Sequence, residues 1–125
     1  MARKIYFYHC PICNSVVELI ENGGHSLTCC DHPMELMKIQ ESGEGQAYHL
    51  PELRHKDGLL YVTIGSKMHP QSEDHYIGFI VFVTKQTVRR SDIKTNGPPT
   101  AVFTDKDHGD VYSYCNLHGI WKTSF

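Results

Sequence analysis

The sequence predicts an all-β protein, an antiparallel β-sandwich preceded by a small N-terminal domain that a metal ion holds together. Residues 76–84 form a run of β-branched and aromatic side chains, which is typical of a strand. No apolar pattern with a 3.6-residue period continues for three helical turns. Four of the five cysteines lie within the first 30 residues, a segment too short to build an ordinary core.

The N-terminal domain is predicted to span residues 1–38. It contains four clustered cysteines, Cys10, Cys13, Cys29 and Cys30. A Cys-x-x-Cys turn directs two sulfurs at one ion, and the second pair completes a tetrahedral set that suits zinc or iron. Strands are expected at 5–9, 16–20 and 34–39. Each is too short to form a core, so metal binding is expected to supply much of the folding free energy.

The polar, glycine-rich residues 39–46 are predicted to be a linker, and residues 47–125 a second domain. Strands of the sandwich are expected at 59–65, 76–84, 101–104, 111–115 and 120–122. Residues 85–99, which end in Asn-Gly-Pro-Pro, are predicted to be a long exposed connection.

Composition narrows the classes of partner. The net charge of the 125-residue chain is −2 and its basic residues are scattered, so nucleic acid is not expected as a partner. Apolar runs of about 18 residues are absent, and the first residues lack the apolar stretch of a signal peptide, which predicts no membrane association and a cytoplasmic location. In a reducing compartment, clustered cysteines favour metal binding over disulfides.

Four of the nine histidines stand beside turn or strand-end signals, namely His49, His69, His75 and His118. Cys115 lies three residues before the last of them, a spacing that suits two ligands on one turn. Loops at one end of a sandwich can bring such residues together. By ligand type, neutral imidazoles with one thiolate would hold iron, copper or zinc.

The strings His49-Leu-Pro, His69-Pro, His75-Tyr-Ile and Cys115-Asn-Leu-His-Gly-Ile-Trp-Lys, in this order, resemble superoxide reductase. The N-terminal Cys-x-x-Cys, followed by Cys-Cys-x-x-Pro-Met, resembles the desulforedoxin-like domain of the two-iron form, desulfoferrodoxin. The resemblance covers nearly the whole chain. It implies an immunoglobulin-like β-sandwich behind a desulforedoxin-like domain.

The resemblance also implies a non-haem ferrous site with four histidines in the equatorial plane, Cys115 as axial thiolate and a sixth position left open; the histidines are His49, His69, His75 and His118. In the family, superoxide takes one electron and two protons there and leaves as hydrogen peroxide. The four N-terminal cysteines are implied to hold iron, or zinc in the protein as isolated. A homodimer and a rubredoxin-like electron donor are further implications.

The chain departs from the family pattern just before the first histidine ligand. Most members carry Glu-Lys there, whereas this chain has Ala47 and Tyr48. Lys67 and Tyr48 are candidate substitutes for the missing positive charge because both lie beside expected ligands. Two alternatives to the enzyme remain. One is a non-catalytic iron protein that carries electrons or senses redox state or nitric oxide, and the other is a zinc-binding interaction module.

Overall fold

A computed structural model describes residues 2–94 and 96–125. Met1 of the predicted N-terminal domain and Thr95 of the predicted connection lie outside the described residues. The chain divides into two compact units. One is Lys4–Lys38, and the other comprises Ile39–Phe125 with the described residues before Lys4. The division into residues 1–38, 39–46 and 47–125 stays a prediction.

The N-terminal unit consists of short strands around the cysteine turns. In chain order they are β1 (Tyr6–His9), β2 (Val16–Leu19), β3 (Thr28–Cys29), β4 (His32–Pro33) and β5 (Glu35–Leu36). β1 pairs antiparallel with both β2 and β5, and β3 pairs with β4. The single strand predicted over 34–39 is wrong in extent, because the ladder breaks at Met37 and Lys38.

The second unit is a β-sandwich of a five-stranded and a three-stranded sheet. Its elements, in chain order, are β6 (Ile39–Gln40), α1 (Gln46–His49), β7 (Pro51–Lys56), β8 (Leu59–Ile64), β9 (Ile77–Val83), β10 (Val88–Asp92), β11 (Thr100–Thr104), β12 (Asp110–Cys115) and β13 (Gly119–Ser124). The larger sheet has the order β10-β9-β12-β13-β6 and the smaller one β11-β8-β7. All pairs are antiparallel except β6 with β13. The predicted fold class is confirmed.

The core lies between the two sheets because alternate residues of each strand point inward. In β8, Leu60, Val62 and Ile64 are buried, while the residues between them are partly or fully exposed. The central strand β9 is apolar along most of its length and supplies Ile80 and Phe82 to the same core. No helix among the described residues is long and apolar enough to cross a membrane.

Three strands of the sandwich differ from the sequence-based expectation, and the first of them, β6, begins the segment predicted as a linker. Residues 85–99, predicted as an exposed connection, contain β10, which pairs with β9 from Val88 opposite Val83 to Asp92 opposite Phe79. The outer edge of β9 carries backbone groups that need hydrogen-bond partners, and a polar edge strand supplies them. The sequence analysis also missed β7, whose residues after Leu53 are polar and exposed.

Candidate metal centres

Five side chains converge at one end of the sandwich because each lies at the end of a strand or in a connection between strands at that end. His49 closes α1 just before β7, and Cys115 is the last residue of β12. His118 lies in the turn between β12 and β13. His69 and His75 belong to the connection from β8 to β9, whose ends are placed at the same edge by the pairs Pro51–Ile64 and Cys115–Ile77.

The donor atoms of this cluster are close enough to share one ion. One ligand atom from each of His49, His69, His75 and Cys115 lies within 4.8 Å of the others. His118 is outside that tight group, yet its Nδ1 is 3.2 Å from Nε2 of His49 and 3.6 Å from Sγ of Cys115. The structure therefore brings together all five residues that the sequence singled out for this site.

Hydrogen bonds fix the orientation of two of these imidazoles. Nδ1 of His49 lies 2.7 Å from the carbonyl oxygen of Gly45, and Nδ1 of His69 lies 2.6 Å from that of Pro70. A carbonyl only accepts, so each Nδ1 carries the proton and each Nε2 keeps its lone pair. Nε2 of His69 and Nε2 of His75 are buried and have no hydrogen-bond partner among the described residues. Unpaired nitrogen lone pairs beside a cysteine fit a metal ion.

Burial favours the uncharged form of every group in the cluster for which a shift is seen. It lowers the pKa of His49 and His75, and it lowers the pKa of His69 to about 4. Burial raises the pKa of the Cys115 thiol. Without metal, these three imidazoles are therefore neutral and Cys115 is a thiol, whose proton a cation displaces when it binds.

Groups behind the ligands hold two of them in place. The Trp121 indole stacks on the His49 ring with centroids 5.1 Å apart and an angle of 14° between the planes. Its Nε1 donates to the carbonyl oxygen of His118 at 3.0 Å, and Nε2 of Gln40 donates to the same oxygen at 2.8 Å. Neither Trp121 nor Gln40 was assigned a role at the site from the sequence.

A cavity of about 570 Å³ lies against the cluster. Its lining comprises Gln40, Glu44, Gly45, Tyr48, His49, Pro70, His75, His118 and Trp121. Tyr48, one of the two candidate substitutes, is therefore at the site. Lys67 is not in the lining, although its Nζ lies 5.8 Å from the centroid of the Tyr48 ring. Glu44 also lines the cavity, and sequence reasoning missed it because the residue lies in the predicted linker.

The four N-terminal cysteines also converge, with their sulfur atoms within 4.8 Å of one another. Cys13 Sγ is 3.7 Å from Cys29 Sγ, which is 3.9 Å from Cys30 Sγ. Adjacent residues in an extended strand point to opposite faces. Cys30 has φ 54° and Asp31 φ 56°, so a left-handed turn directs both neighbouring sulfurs at one point. Four clustered sulfurs fit a thiolate-bound ion.

Protons are unevenly distributed among these four thiols. The Ser15 hydroxyl lies 3.1 Å from Cys13 Sγ, and its hydrogen bond is the main cause that lowers the pKa of Cys13 to about 6. Hydrogen bonds with the Cys13 and Cys10 sulfurs raise the pKa of Cys29 to about 12. The pKa of Cys30 is also raised, mainly by Cys13. Cys13 therefore forms a thiolate more readily than Cys29 or Cys30.

Two protein-family models match the chain. The model described as desulfoferrodoxin matches residues 40–124, and the one described as the desulfoferrodoxin N-terminal domain matches residues 2–37. A desulfoferrodoxin homolog of Archaeoglobus fulgidus is 35% identical over 98% of this chain and 99% of its own. The desulfoferrodoxin of Nitratidesulfovibrio vulgaris is 36% identical over 98% of each chain.

Solved structures show the same fold. The superoxide reductase from Treponema pallidum superposes with a TM-score of 0.79 at 21% identity, over 98% of this chain and 99% of its own. The one-iron superoxide reductase from Giardia intestinalis superposes with a TM-score of 0.54 at 28% identity, over 62% of this chain and 96% of its own.

Proposed function

The chain belongs to the desulfoferrodoxin family, and we propose that it is a superoxide reductase. Iron is the proposed cofactor, held by four imidazoles and one thiolate, from His49, His69, His75, His118 and Cys115. The observation that carries the proposal is the convergence of these donors beside an open cavity, where Nε2 of His69 and of His75 are buried and find no hydrogen-bond partner in the described part of the chain. The Giardia relative, a superoxide reductase by name, supports it at 28% identity.

Each ligand type has a chemical purpose in this reaction. Ferrous iron bound there would supply the one electron that, with two protons, converts superoxide to hydrogen peroxide. The Cys115 thiolate donates electron density to the ion it binds and favours the oxidised state. The neutral imidazoles add no negative charge, so a dication with one thiolate keeps a net positive charge that attracts an anion. The lowered pKa of His69 keeps that imidazole neutral throughout the physiological range.

The cavity determines what reaches the site. Its lining includes the exposed side chain of His118 and the half-exposed Tyr48, so a small anion and water can enter from solvent. We propose that water in this cavity delivers the two protons. Trp121 also lines the cavity, and its buried indole stacks on the His49 ring and shields that face of the ring from water.

Rapid mixing of the reduced, iron-loaded chain with a pulse of superoxide tests the proposal. We expect fast oxidation with a change in the thiolate-to-iron absorption, about one peroxide per superoxide and no dioxygen release. A Cys115→Ser variant is expected to lose the absorption, whereas a Cys13→Ser variant should react at the parent rate. Oxidation no faster than that of free ferrous ion would contradict the proposed activity.

A second candidate, a non-catalytic iron electron carrier or a redox or nitric-oxide sensor, is favoured by one observation. The described residues that line the cavity include the acidic residue Glu44 and neither lysine nor arginine. A negative charge there opposes the approach of superoxide. In the rapid-mixing experiment this candidate predicts a slow reaction with superoxide together with reversible one-electron oxidation of the iron.

Lys67 is the proposed source of compensating positive charge, acting from its position beside the Tyr48 ring. We expect Lys67→Gln to slow the reaction with superoxide by about two- to fivefold at low ionic strength, and the difference should vanish at high salt. Lys85→Gln, in the turn between β9 and β10, is the matched control. Equal rates for Lys67→Gln and the parent at low salt would exclude the steering role.

The N-terminal unit is proposed to hold iron, or zinc in the isolated protein, and to serve mainly as a structural element with electron relay as a secondary role. We also propose that the chain forms a homodimer through the N-terminal unit. Val17 and Leu36 lie opposite Tyr8 on neighbouring strands, and both are exposed, so an apolar sheet face is open to a second copy. Sedimentation of the metal-loaded chain tests the dimer. The rubredoxin-like electron donor and the cytoplasmic location remain predictions.

A further inference from the structure

We propose that Asn116 is a positioning residue for the metal centre, because its side chain fixes the segment that carries His75 against the segment that carries Cys115. The inference rests on the five-ligand centre of the proposed function, but it holds for whatever reaction that centre performs. Asn116 lies between Cys115 and His118 in the sequence.

Both polar atoms of the Asn116 carboxamide are bonded to residues that flank His75. Its Oδ1 accepts a hydrogen bond from the Tyr76 backbone N–H at 2.8 Å, and its Nδ2 donates to the carbonyl oxygen of Asp74 at 2.9 Å. The backbone N–H of Asn116 also donates to the carbonyl oxygen of Tyr76, at 3.1 Å. Three hydrogen bonds therefore connect one residue of the thiolate turn with the neighbours of one histidine ligand.

The sheet needs such a connection at this point because its ladder becomes irregular there. Tyr114 lies opposite Phe79, but the next pair is Cys115 with Ile77, so Gly78 is passed over. β9 begins at Ile77, and the residues before it have no strand partner in the larger sheet. A carboxamide offers one donor and one acceptor side, as a peptide group does. The side chain of Asn116 thus extends the hydrogen bonding between β9 and β12 beyond Cys115, the last residue of β12.

The histidine ligands differ in how they are held. The rings of His49 and His69 each place Nδ1 against a nearby carbonyl oxygen. For His75 the restraints are on the backbone: its N–H donates to Oγ of Ser72 within the same loop, at 3.2 Å, and Asn116 clamps its two neighbours. Among the described residues, the clamp from Asn116 is what ties the two immediate neighbours of His75 to the turn that follows Cys115. Its loss should therefore let the imidazole drift from the thiolate.

Cobalt binding to the metal-depleted full-length chain tests this role without reference to catalysis. We expect Asn116→Ala to lower the affinity of the histidine and cysteine centre for Co²⁺ by about 10- to 100-fold in chelator competition, the usual effect of removing an outer-shell partner. Its thiolate-to-cobalt absorption should shift. Asn116→Asp keeps the acceptor for Tyr76 but loses the donor to Asp74, so it should fall between Asn116→Ala and the parent.

Leu117→Ala is the matched control, because Leu117 lies in the same turn with a side chain that is 60% exposed. It should bind Co²⁺ as the parent does. Fluorescence of Trp121, the one tryptophan of the chain, shows whether each variant is folded. If Asn116→Ala is folded and retains the parent affinity and absorption, the positioning role is wrong, even if its unfolding midpoint falls. If the parent itself binds no Co²⁺ through Cys115, the proposed centre fails and the inference fails with it.

Discussion

The two metal centres of this chain are built in opposite ways. The four N-terminal cysteines lie within 30 residues, on turns that need left-handed residues such as Cys30, around a unit whose buried apolar side chains are Ile5, Phe7 and Cys10. In the second centre, His49 and His118 are 69 positions apart and are brought together by a packed sandwich. We therefore expect the first centre to need a metal ion to define its fold, and the geometry of the second to be set by a core that forms without metal.

Removal of metal should have the largest effect of the changes proposed here, and it tests whether the two units differ in their dependence on metal. After chelation, we expect amides of β1 and β2 to exchange at unprotected rates while those of β9 and β12 stay protected. The reason is that thiolate-bound zinc contributes about 10 kcal/mol or more to small zinc domains, and three buried side chains cannot replace it. Hydrogen exchange with mass spectrometry measures the difference.

Readdition of Zn²⁺ should restore protection in β1 and β2, which controls for irreversible damage. Persistent protection of β1 without metal would show that the N-terminal unit folds by packing alone. Simultaneous loss of protection in β9 would show that the sandwich also depends on metal.

A substitution at Gly65 tests how strongly the stability of the sandwich depends on the close approach of the backbone at this position. Its φ is 84°, and an added Cβ would meet the carbonyl oxygen of Lys67 and lie 2.9 Å from that of Ala47. We expect Gly65→Ala to reduce the free energy of unfolding by about 2 to 5 kcal/mol, from the left-handed backbone and the overlap together. Urea unfolding followed by Trp121 fluorescence measures it.

Gly58→Ala is the matched control for Gly65→Ala. Gly58 also has a positive φ, 77°, but an added Cβ would have no neighbour within 4 Å. Only the backbone cost of about 1 to 2 kcal/mol should remain. If the two variants unfold at the same urea concentration, the close approach at Gly65 does not contribute to the loss of stability.

Acid should destabilise the metal-free sandwich through its buried histidines. The pKa of His69 is about 4 in the folded chain and has an ordinary value of 6.5. Between these values the unfolded chain binds the proton and the folded chain does not, so stability is complete above pH 6.5 and falls as the pH drops toward 4. At pH 5 the loss from this residue is on the order of 2 kcal/mol.

Urea midpoints of the metal-free chain at pH 7.5 and pH 5 measure this dependence, again by Trp121 fluorescence. A His69→Gln variant removes the titrating group and should show a smaller shift between the two pH values. An equal shift in parent and variant would place the acid sensitivity in other groups.

Sequence reasoning singled out the residues that converge in both clusters, and it predicted most strands, because those features are local or chemically distinctive. Cysteine spacing shows the first centre directly, and β-branched runs show β8 and β9. The hairpin dipeptide Asp57-Gly58, both residues with positive φ, is the signal that could have identified β7 from sequence. By contrast, β10 has a polar sequence and is specified by the free edge of β9.

The support of the second centre could not be predicted in the same way. Gln40 reaches the His118 carbonyl because β6 pairs parallel with β13, a contact between residues about 80 positions apart. Asn116 and Trp121 act through backbone carbonyls and ring stacking, which no spacing in the sequence reveals. Candidate ligands can be recognised by residue type, because cysteine and histidine bind metal ions. The groups that support them can be recognised only from the three-dimensional path of the chain.

The smallest expected effect concerns the hydrogen bond from Ser15 to Cys13. Loss of the hydroxyl in Ser15→Ala should raise the pKa of Cys13 from about 6 toward its ordinary value of 9. A proton then competes with metal near pH 7, so the affinity of the four-cysteine centre for Zn²⁺ should fall by up to about tenfold. Competition with a chromogenic chelator measures the Zn²⁺ affinity, and Ser15→Thr, which keeps a hydroxyl, is the control.

The second centre has its ligands in the other unit, so its Co²⁺ affinity should stay at the parent value in both variants. A parallel loss at both centres would show that the two are coupled, and the contrast between a locally built and a globally built site would then no longer describe this molecule.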